Sequence, residues 1–447
     1  MDRCPDLRFD ANDVRMRGFS ARATVAETLG WLDRQLRPLP TEEVRLAAAA
    51  GRVLAAEVVS RVDVPAFDRA MMDGYAVRAD ETHGATAYNR LAFEVIGESL
   101  AGRAFAGKLS GGQAIRIMTG ARLPEGADAV LPVEWTEGTG SRMLAQGEVS
   151  PGKHVGRRGE DITAGTVVFR SGRTLRAQDV GVLSSIGRGA VPVVRRPRVR
   201  IVVTGDELLP PGSAPAGDRI ADANGPMLAA LVARDGGIPL TSGAVADSPD
   251  AILAALRAAA DVTLVSGGSS VGQEDHVPRL LARHGELAIH GVAMRPSSPT
   301  GLGRLADRLV ILLPGNPVSC LCGYDFFAGR AVRALGGRSK DWPYRRQHGP
   351  LRRKLVSTIG RTDYARVKLT DGQVEPLAIA GASILTSTTR ADGFVIVPRL
   401  LDVREDIGPV IEEYDDLINH LVRHLLFAQT LFHFGRTTRS GFQKSQS

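Results

Sequence analysis

The run Val199-Arg200-Ile201-Val202-Val203-Thr204-Gly205-Asp206-Glu207 decides the fold. Residues 199–203 are mostly β-branched, the texture of a strand buried on both faces of a parallel sheet, and a glycine turn bearing two acids follows at once. The same texture recurs twice. Residues 262–265 run into Ser266-Gly267-Gly268-Ser269-Ser270-Val271-Gly272-Gln273-Glu274-Asp275, and 309–313 run into Pro314-Gly315-Asn316-Pro317-Val318-Ser319. Helical patterns lie between them: 227–232, ended by Gly236-Gly237, and 249–260, with Asp247 and Ser248 as candidate caps and Ile252, Leu253 and Leu256 on one face. Strands alternating with helices imply an open, doubly wound α/β sheet, whose ligands sit beyond the carboxyl ends of the strands.

Outward from this region the texture changes. Residues 21–60 read as helix, with Ser20 as a cap and Val25, Leu29, Trp31 and Leu32 at helical spacing. From 63 to 171, short apolar runs (92–96, 114–118, 129–133) are broken by Gly, Pro and charge, which suggests a mostly β lobe. Residues 174–194 are mixed, with Val180, Val182, Leu183 and Ile186 on a helix. After 345 a small β domain is expected, built on 351–370, 375–377 and 394–397 and ending near 413. The tail carries Leu417, Leu421, Leu425 and Phe432 as an amphipathic helix; His420 and His424 stand one turn apart on it, without a third ligand in view.

A chain of 447 residues exceeds one compact core, and 43% hydrophobic with 23% charged residues is the balance of a folded protein. No apolar stretch is long enough for a membrane helix, and residues 1–22 lack the apolar block of a signal peptide, so the cytoplasm is the expected address. Cys4, Cys320 and Cys322 make neither a disulfide framework nor a CxxC zinc pair. The formal charge is +7, and with six lysines among 56 basic residues the cations are mainly arginines, suited to bidentate recognition of phosphate and carboxylate. Aromatics at 5% and the lack of a basic stripe argue against nucleic acid as a partner.

The chemistry gathers on the strand-end loops. Glycines let backbone N–H groups approach an anion, a following helix N-terminus favours negative charge, and the hydroxyls of Ser266, Ser269, Ser270 and Ser319 add donors. Asp206, Glu207, Glu274 and Asp275 would repel a bare phosphate, and their presence makes sense with a hard cation such as Mg²⁺ between. A second cluster, Asp63-Val64-Pro65-Ala66-Phe67-Asp68 and Met72-Asp73-Gly74-Tyr75-Ala76-Val77, reads equally well as a turn entering a strand. So do Arg157-Arg158-Gly159-Glu160-Asp161 as a solvated turn and Met118-Thr119-Gly120-Ala121 as a strand end.

Together these segments resemble the MoeA/gephyrin E-domain family, the molybdopterin molybdenumtransferases. The matching elements are DVPAFDRAMMDGYAVR (63–78), IRIMTGA (115–121), RRGEDI (157–162), TGDEL (204–208), SGGSSVGQED (266–275) and LPGNPVS (313–319), in the family's order and within a likeness covering about 20–415. The resemblance implies an open doubly wound α/β domain of molybdopterin-binding type with a split helical domain, an inserted β-rich lobe and a C-terminal β domain. The boundaries are 20–62 with 160–195 for the split domain, 63–159 for the lobe, 196–342 for the catalytic domain, 343–415 for the C-terminal domain and 416–447 for an added tail. It further implies a homodimer in which Asp73 and Thr119 face the opposite chain. The implied reaction takes adenylylated molybdopterin and molybdate, both substrates, releases AMP with help from Mg²⁺, and yields molybdenum cofactor. The upstream adenylyltransferase and molybdoenzyme chaperones are further partners of such a protein; nucleic acid and membrane are not.

Motif matching carries catalytic positions onto Asp73, Thr119, Asp161, Glu207, Asp247 and Asp275, with Glu207 and Asp275 also toward the metal. Substrate contacts fall on Ser266, Gly267, Gly268, Ser269, Ser270, Gly272, Arg295, Ser298, Pro314, Gly315, Asn316, Pro317, Ser319 and Arg366. The chain departs from the family at Met294-Arg295-Pro296-Ser297-Ser298-Pro299, where a KPGKP-like segment is usual; at Arg69-Ala70 in place of Asn-Ser; and at Gly381-Ala382 in place of Gly-Ser, with Ser383 one residue on. Arg295 is therefore expected to supply the main positive charge at the molybdate site, aided by Ser297, Ser298 and Arg304. The competing readings are a paralogue that binds a pterin nucleotide or a partner without inserting molybdenum, and a nucleotide hydrolase sharing only the α/β domain.

Overall fold

A computed structural model describes residues 22–268, 276–357, 359–399 and 433–434. They form two compact units, one within 1–41 and 194–447, the other within 42–193.

The first unit is built on a six-stranded sheet in the order Ile238–Val245, Arg198–Thr204, Val262–Ser266, Arg308–Leu313, Gly301–Leu305, Glu286–His290. The first four strands are parallel and the last two antiparallel. Alternation along the strands buries both faces. Val199, Ile201 and Val203 join one apolar cluster with Leu264, Ile311 and Leu313, while Val202, Val265, Val310 and Leu312 join another with Ile252, Leu256 and Leu281. That double burial is why these strands read as continuous apolar runs. Register then fixes the site: Thr204 pairs with Val245, Val203 with Ser266, and Ser266 with Leu313, so four strand ends finish level and their loops emerge side by side.

The helices differ in extent from the sequence expectation. The helix expected over 21–60 is only Val25–Gln35, because Pro38 and Pro40 remove donors just beyond it; a strand, Thr41–Arg45, follows. Its cap is Thr24, which accepts from the Glu27 N–H at 3.1 Å while Glu27 returns the bond, and its Leu32 enters the α/β core. The other helices are Asn224–Arg234, Pro249–Arg257 and His276–His284, with Pro317–Gly323 continuing to Leu335 through one wider turn. Ser248 caps Pro249–Arg257, whereas Asp247, the other cap candidate, is used elsewhere. The C-terminal part pairs Thr362–Thr370 with Gln373–Ala378 and Gly393–Val397, and Met294–Arg295 lies parallel beside Thr362 and Asp363. Tyr364 stacks on Phe394 at 4.2 Å, and Trp342 and Tyr344 meet the same ring edge-on.

The second unit holds a mixed sheet in the order Ala129–Pro132, Gly74–Val77, Gln113–Ile117, Leu91–Ser99, Arg142–Ala145, Thr136–Thr139. A smaller core around Leu54, Leu175, Leu183 and Val193 includes the helix Ala177–Ser185. Ser20, His420, His424 and the amphipathic tail lie outside the described residues. Among those that are described, no helix is long and apolar enough to cross a membrane.

Candidate functional site

At the level carboxyl edge of the four parallel strands the glycine turns close on one another. Gly267 has φ +98°, and a Cβ there would lie 2.2 Å from the Thr204 carbonyl oxygen; one on Gly315 would lie 3.7 Å from the Gly267 Cα. At Gly267 only glycine permits both that backbone conformation and that approach, whereas the Gly315 distance is an ordinary contact. Gly268, at φ +55°, continues the turn, but 269–275, which includes Ser269, Ser270, Gly272, Glu274 and Asp275, lies outside the described residues.

The acids gather beside it. The Thr204 hydroxyl donates to Asp247 Oδ1 at 3.1 Å, and the Asp247 N–H donates to Asp206 Oδ1 at 3.2 Å. Asp247 is thus tied to the neighbouring strand end, and Asp206 rather than Glu207 is its direct neighbour. Glu207 is exposed and folds back on Gly205, where a Cβ would meet its Oε2 at 2.5 Å. No group of three metal-competent side chains stands together among the described residues. Asp206, Glu207 and Asp247 nonetheless offer carboxylate oxygens only, the donor type a hard divalent cation takes.

On the opposite side of the glycine turns the C-terminal part supplies a cover. Ser383 Oγ donates to Asn316 Oδ1 at 2.9 Å, and the Val318 N–H donates to the Ala382 carbonyl at 2.9 Å. The displaced Ser383 therefore reaches the 313–319 loop, and one N–H at that helix start is already engaged. Pro314 and Ser319 are buried beneath.

Arg295 is not placed as its charge suggested. Its Nη2 and Nε hold the fully buried Asp363 in a bidentate pair at 2.7 and 3.1 Å, with Arg361 3.4 Å from the same carboxylate. Ser297 is buried at φ +82° and bonded to Thr300 at 2.8 Å, and Arg304 reaches Gln35 at 3.2 Å. The 294–300 segment is thus committed to structure at three of its side chains, while the buried Ser298 Oγ has no partner among the described residues. Arg366 is the contrasting case. It is 1% exposed, donates through Nη2 to the Ala380 carbonyl, and leaves Nε and Nη1 without partners among the described residues. A buried guanidinium without a carboxylate is costly unless an anion completes it.

In the second unit, Asp73 Oδ1 accepts both the N–H and the hydroxyl of Thr119 at 2.7 Å, which holds its carboxyl below the usual range. Asp161 is exposed, just past a turn tied by Arg157 to Asp68 and by Arg158 to Asp63. Met71, Val133 and Trp135, all more than 40% exposed, surround the Asp73 loop; Asp73 accepts from the Val133 N–H and Met71 donates to His154, whose ring meets Trp135.

Sequence reasoning missed Asn224. It is 7% exposed at the start of its helix, and its Nδ2 donates to Ser266 Oγ at 2.9 Å and to the Gly315 carbonyl at 2.6 Å. The available signal was Asp222-Ala223-Asn224-Gly225, a polar helix entry, passed over because the helix was begun at 227.

An α/β sheet with glycine turns level at its carboxyl edge, in a chain with a C-terminal β domain and a separate β lobe, defines a multidomain protein of molybdopterin-binding type. Three family models match: MoeA N-terminal region (domain I and II) over 23–187, probable molybdopterin binding domain over 200–334, and MoeA C-terminal region (domain IV) over 348–405. The chain is 36% identical over 390 residues to molybdopterin molybdenumtransferase 2 of Mycobacterium tuberculosis, covering 84% of this chain and 93% of the relative. It is 37% identical over 309 residues to molybdopterin molybdenumtransferase of Nostoc sp., covering 68% and 71%. The crystal structure of the molybdopterin biosynthesis MoeA protein from Pyrococcus horikoshii OT3 superimposes with a TM-score of 0.69 at 31% identity, covering 85% of this chain and 96% of that one. The chain belongs to the MoeA family of molybdopterin molybdenumtransferases.

Proposed function

We propose that this chain is a molybdopterin molybdenumtransferase of molybdenum cofactor biosynthesis, working in the cytoplasm as a homodimer on adenylylated molybdopterin and molybdate with release of AMP. The observation that carries the reading is the Gly267 turn, packed against the Thr204 carbonyl and in contact with Gly315 at level strand ends, beside Asp206 and Asp247. The N–H groups of Gly268, Gly315 and Asn316, with the Ser266 hydroxyl, hold the pterin phosphate, the Gly267 N–H being donated to the Leu313 carbonyl. Asp206, Glu207 and Asp247, with Asp275, would hold Mg²⁺, which when bound would neutralise charge at the phosphoanhydride. The positive charge at the molybdate comes from Arg366, two of whose donors have no partner among the described residues, more than from Arg295, already paired with Asp363.

The division into 20–62 with 160–195, 63–159, 196–342 and 343–415 belongs to this reading. So does a second copy covering Met71, Val133 and Trp135, an apolar rim around Asp73 and Thr119 that a lone lobe has no reason to expose. Incubation with adenylylated molybdopterin should release AMP in proportion to added molybdate, and Arg366→Met should abolish the dependence. Pterin binding without AMP release by the wild type would make the chain a non-catalytic binder.

A further inference from the structure

Asn224 joins the two glycine loops with a single amide group. A carbonyl oxygen can only accept, so the atom 2.6 Å from the Gly315 carbonyl must be the NH₂, and chemistry alone fixes the amide's orientation. Its two hydrogens go to different loops, one to Gly315 and one to Ser266 Oγ. The remaining Oδ1 is buried with no donor among the described residues.

The local sequence delivers this group in one orientation. Asp222 Oδ1 accepts from the Gly225 N–H at 2.8 Å, and a Cβ on Gly225 would lie 2.3 Å from Asp222 Oδ2, so the turn into the helix admits little variation. Strand pairing of Ser266 with Leu313 sets the bases of the 266–268 and 313–316 turns, and Asn224, which neither turn contains, adds a side-chain tie between them beyond that pairing.

We propose that Asn224 is the positioning residue of the phosphate cradle: its NH₂ clamps the two glycine loops at the spacing that accepts the pterin phosphate. The proposal rests on the molybdopterin molybdenumtransferase reading. It predicts a pH signature in Asn224→Asp, a change of equal size. An ionised carboxylate can accept from the Ser266 hydroxyl but turns only lone pairs toward the Gly315 carbonyl, which loses its donor and is pushed away, whereas the protonated acid regains one donor for it.

The test is isothermal titration of adenylylated molybdopterin into wild type, Asn224→Asp and Asn224→Ala from pH 5 to pH 8, with thermal midpoints recorded for each. Relative to wild type at the same pH, Asn224→Asp should bind about tenfold to a hundredfold more weakly at pH 8 and recover toward pH 5; Asn224→Ala should be about tenfold weaker throughout. If the wild type fails to bind the pterin nucleotide, the functional reading falls and this inference with it. If the wild type binds and folded Asn224→Asp follows it at every pH, the clamp is refuted and the functional reading stands. Should Asn224→Asp not fold, Asn224→Ala decides, and wild-type affinity in that variant overturns the proposal.

Discussion

Replacing Arg295 by alanine separates a structural role from an anion-binding one. The Asp363 carboxylate is fully buried, and Arg295 provides two of its hydrogen bonds, at 2.7 and 3.1 Å; Arg361, 3.4 Å away, would be left as its remaining cation. Removing one partner of a buried pair costs about 3–5 kcal/mol. The 27% exposure of the Arg295 side chain and the help of Arg361 put this pair at the low end. The expected loss is about 3 kcal/mol, roughly a hundredfold in the folding equilibrium. Urea unfolding followed by tryptophan fluorescence reads it directly, because Trp342 packs edge-on against Phe394, whose strand neighbours that of Asp363. A double-mutant cycle with Asp363→Ala should return a coupling of the same sign. Under conditions where Arg295→Ala is folded, molybdate-dependent AMP release should persist. Unchanged stability together with lost AMP release would refute the reasoning and return Arg295 to the anion site.

Gly267→Ala should weaken pterin binding and stability together, since its Cβ would strike the Thr204 carbonyl at 2.2 Å, while Gly268→Ala, with nearest contacts of 3.3 Å, should be milder; calorimetry on both variants orders them. Burial pushes the Cys320 thiol up to about 12 and that of Cys322 well above its usual value. The peptide that carries both should not take up iodoacetamide at pH 8 by mass spectrometry until the protein is unfolded. Arg173 and Arg176 hold the buried Asp179 carboxyl well below its ordinary 3.8. A depressed carboxyl stabilises the fold above the unfolded value and loses that contribution as pH falls, so the stability advantage of wild type over Asp179→Asn should be full above about pH 5 and shrink below about pH 4.

Three of the four parallel strands were legible because double burial writes itself as mostly apolar runs, and the loops after those three because glycine marks each turn; the edge strand Ile238–Val245, nowhere fully buried and followed by Ala246-Asp247-Ser248, was not legible. Neither was the antiparallel pair Glu286–His290 and Gly301–Leu305. Gly303 lets the Glu286 carbonyl within 2.0 Å of where a Cβ would sit, so the strand is written with residues that look like a turn. The first helix was overextended because apolar spacing was weighed above Pro38 and Pro40. The pairing of Arg295 was not legible because its partner lies 68 residues away, and a charge read locally looks free until the fold brings its counter-charge. Asn224 was overlooked for a similar reason: its function lies in two loops distant from it in sequence.

Hydrogen exchange of the wild-type protein with and without adenylylated molybdopterin tests the central claim most directly. The account predicts that the ligand slows exchange at Gly267, Gly268, Gly315 and Asn316 and in the 204–207 turn. Slowed exchange confined to 63–159 or to 416–447, with the strand-end turns unchanged, would contradict it.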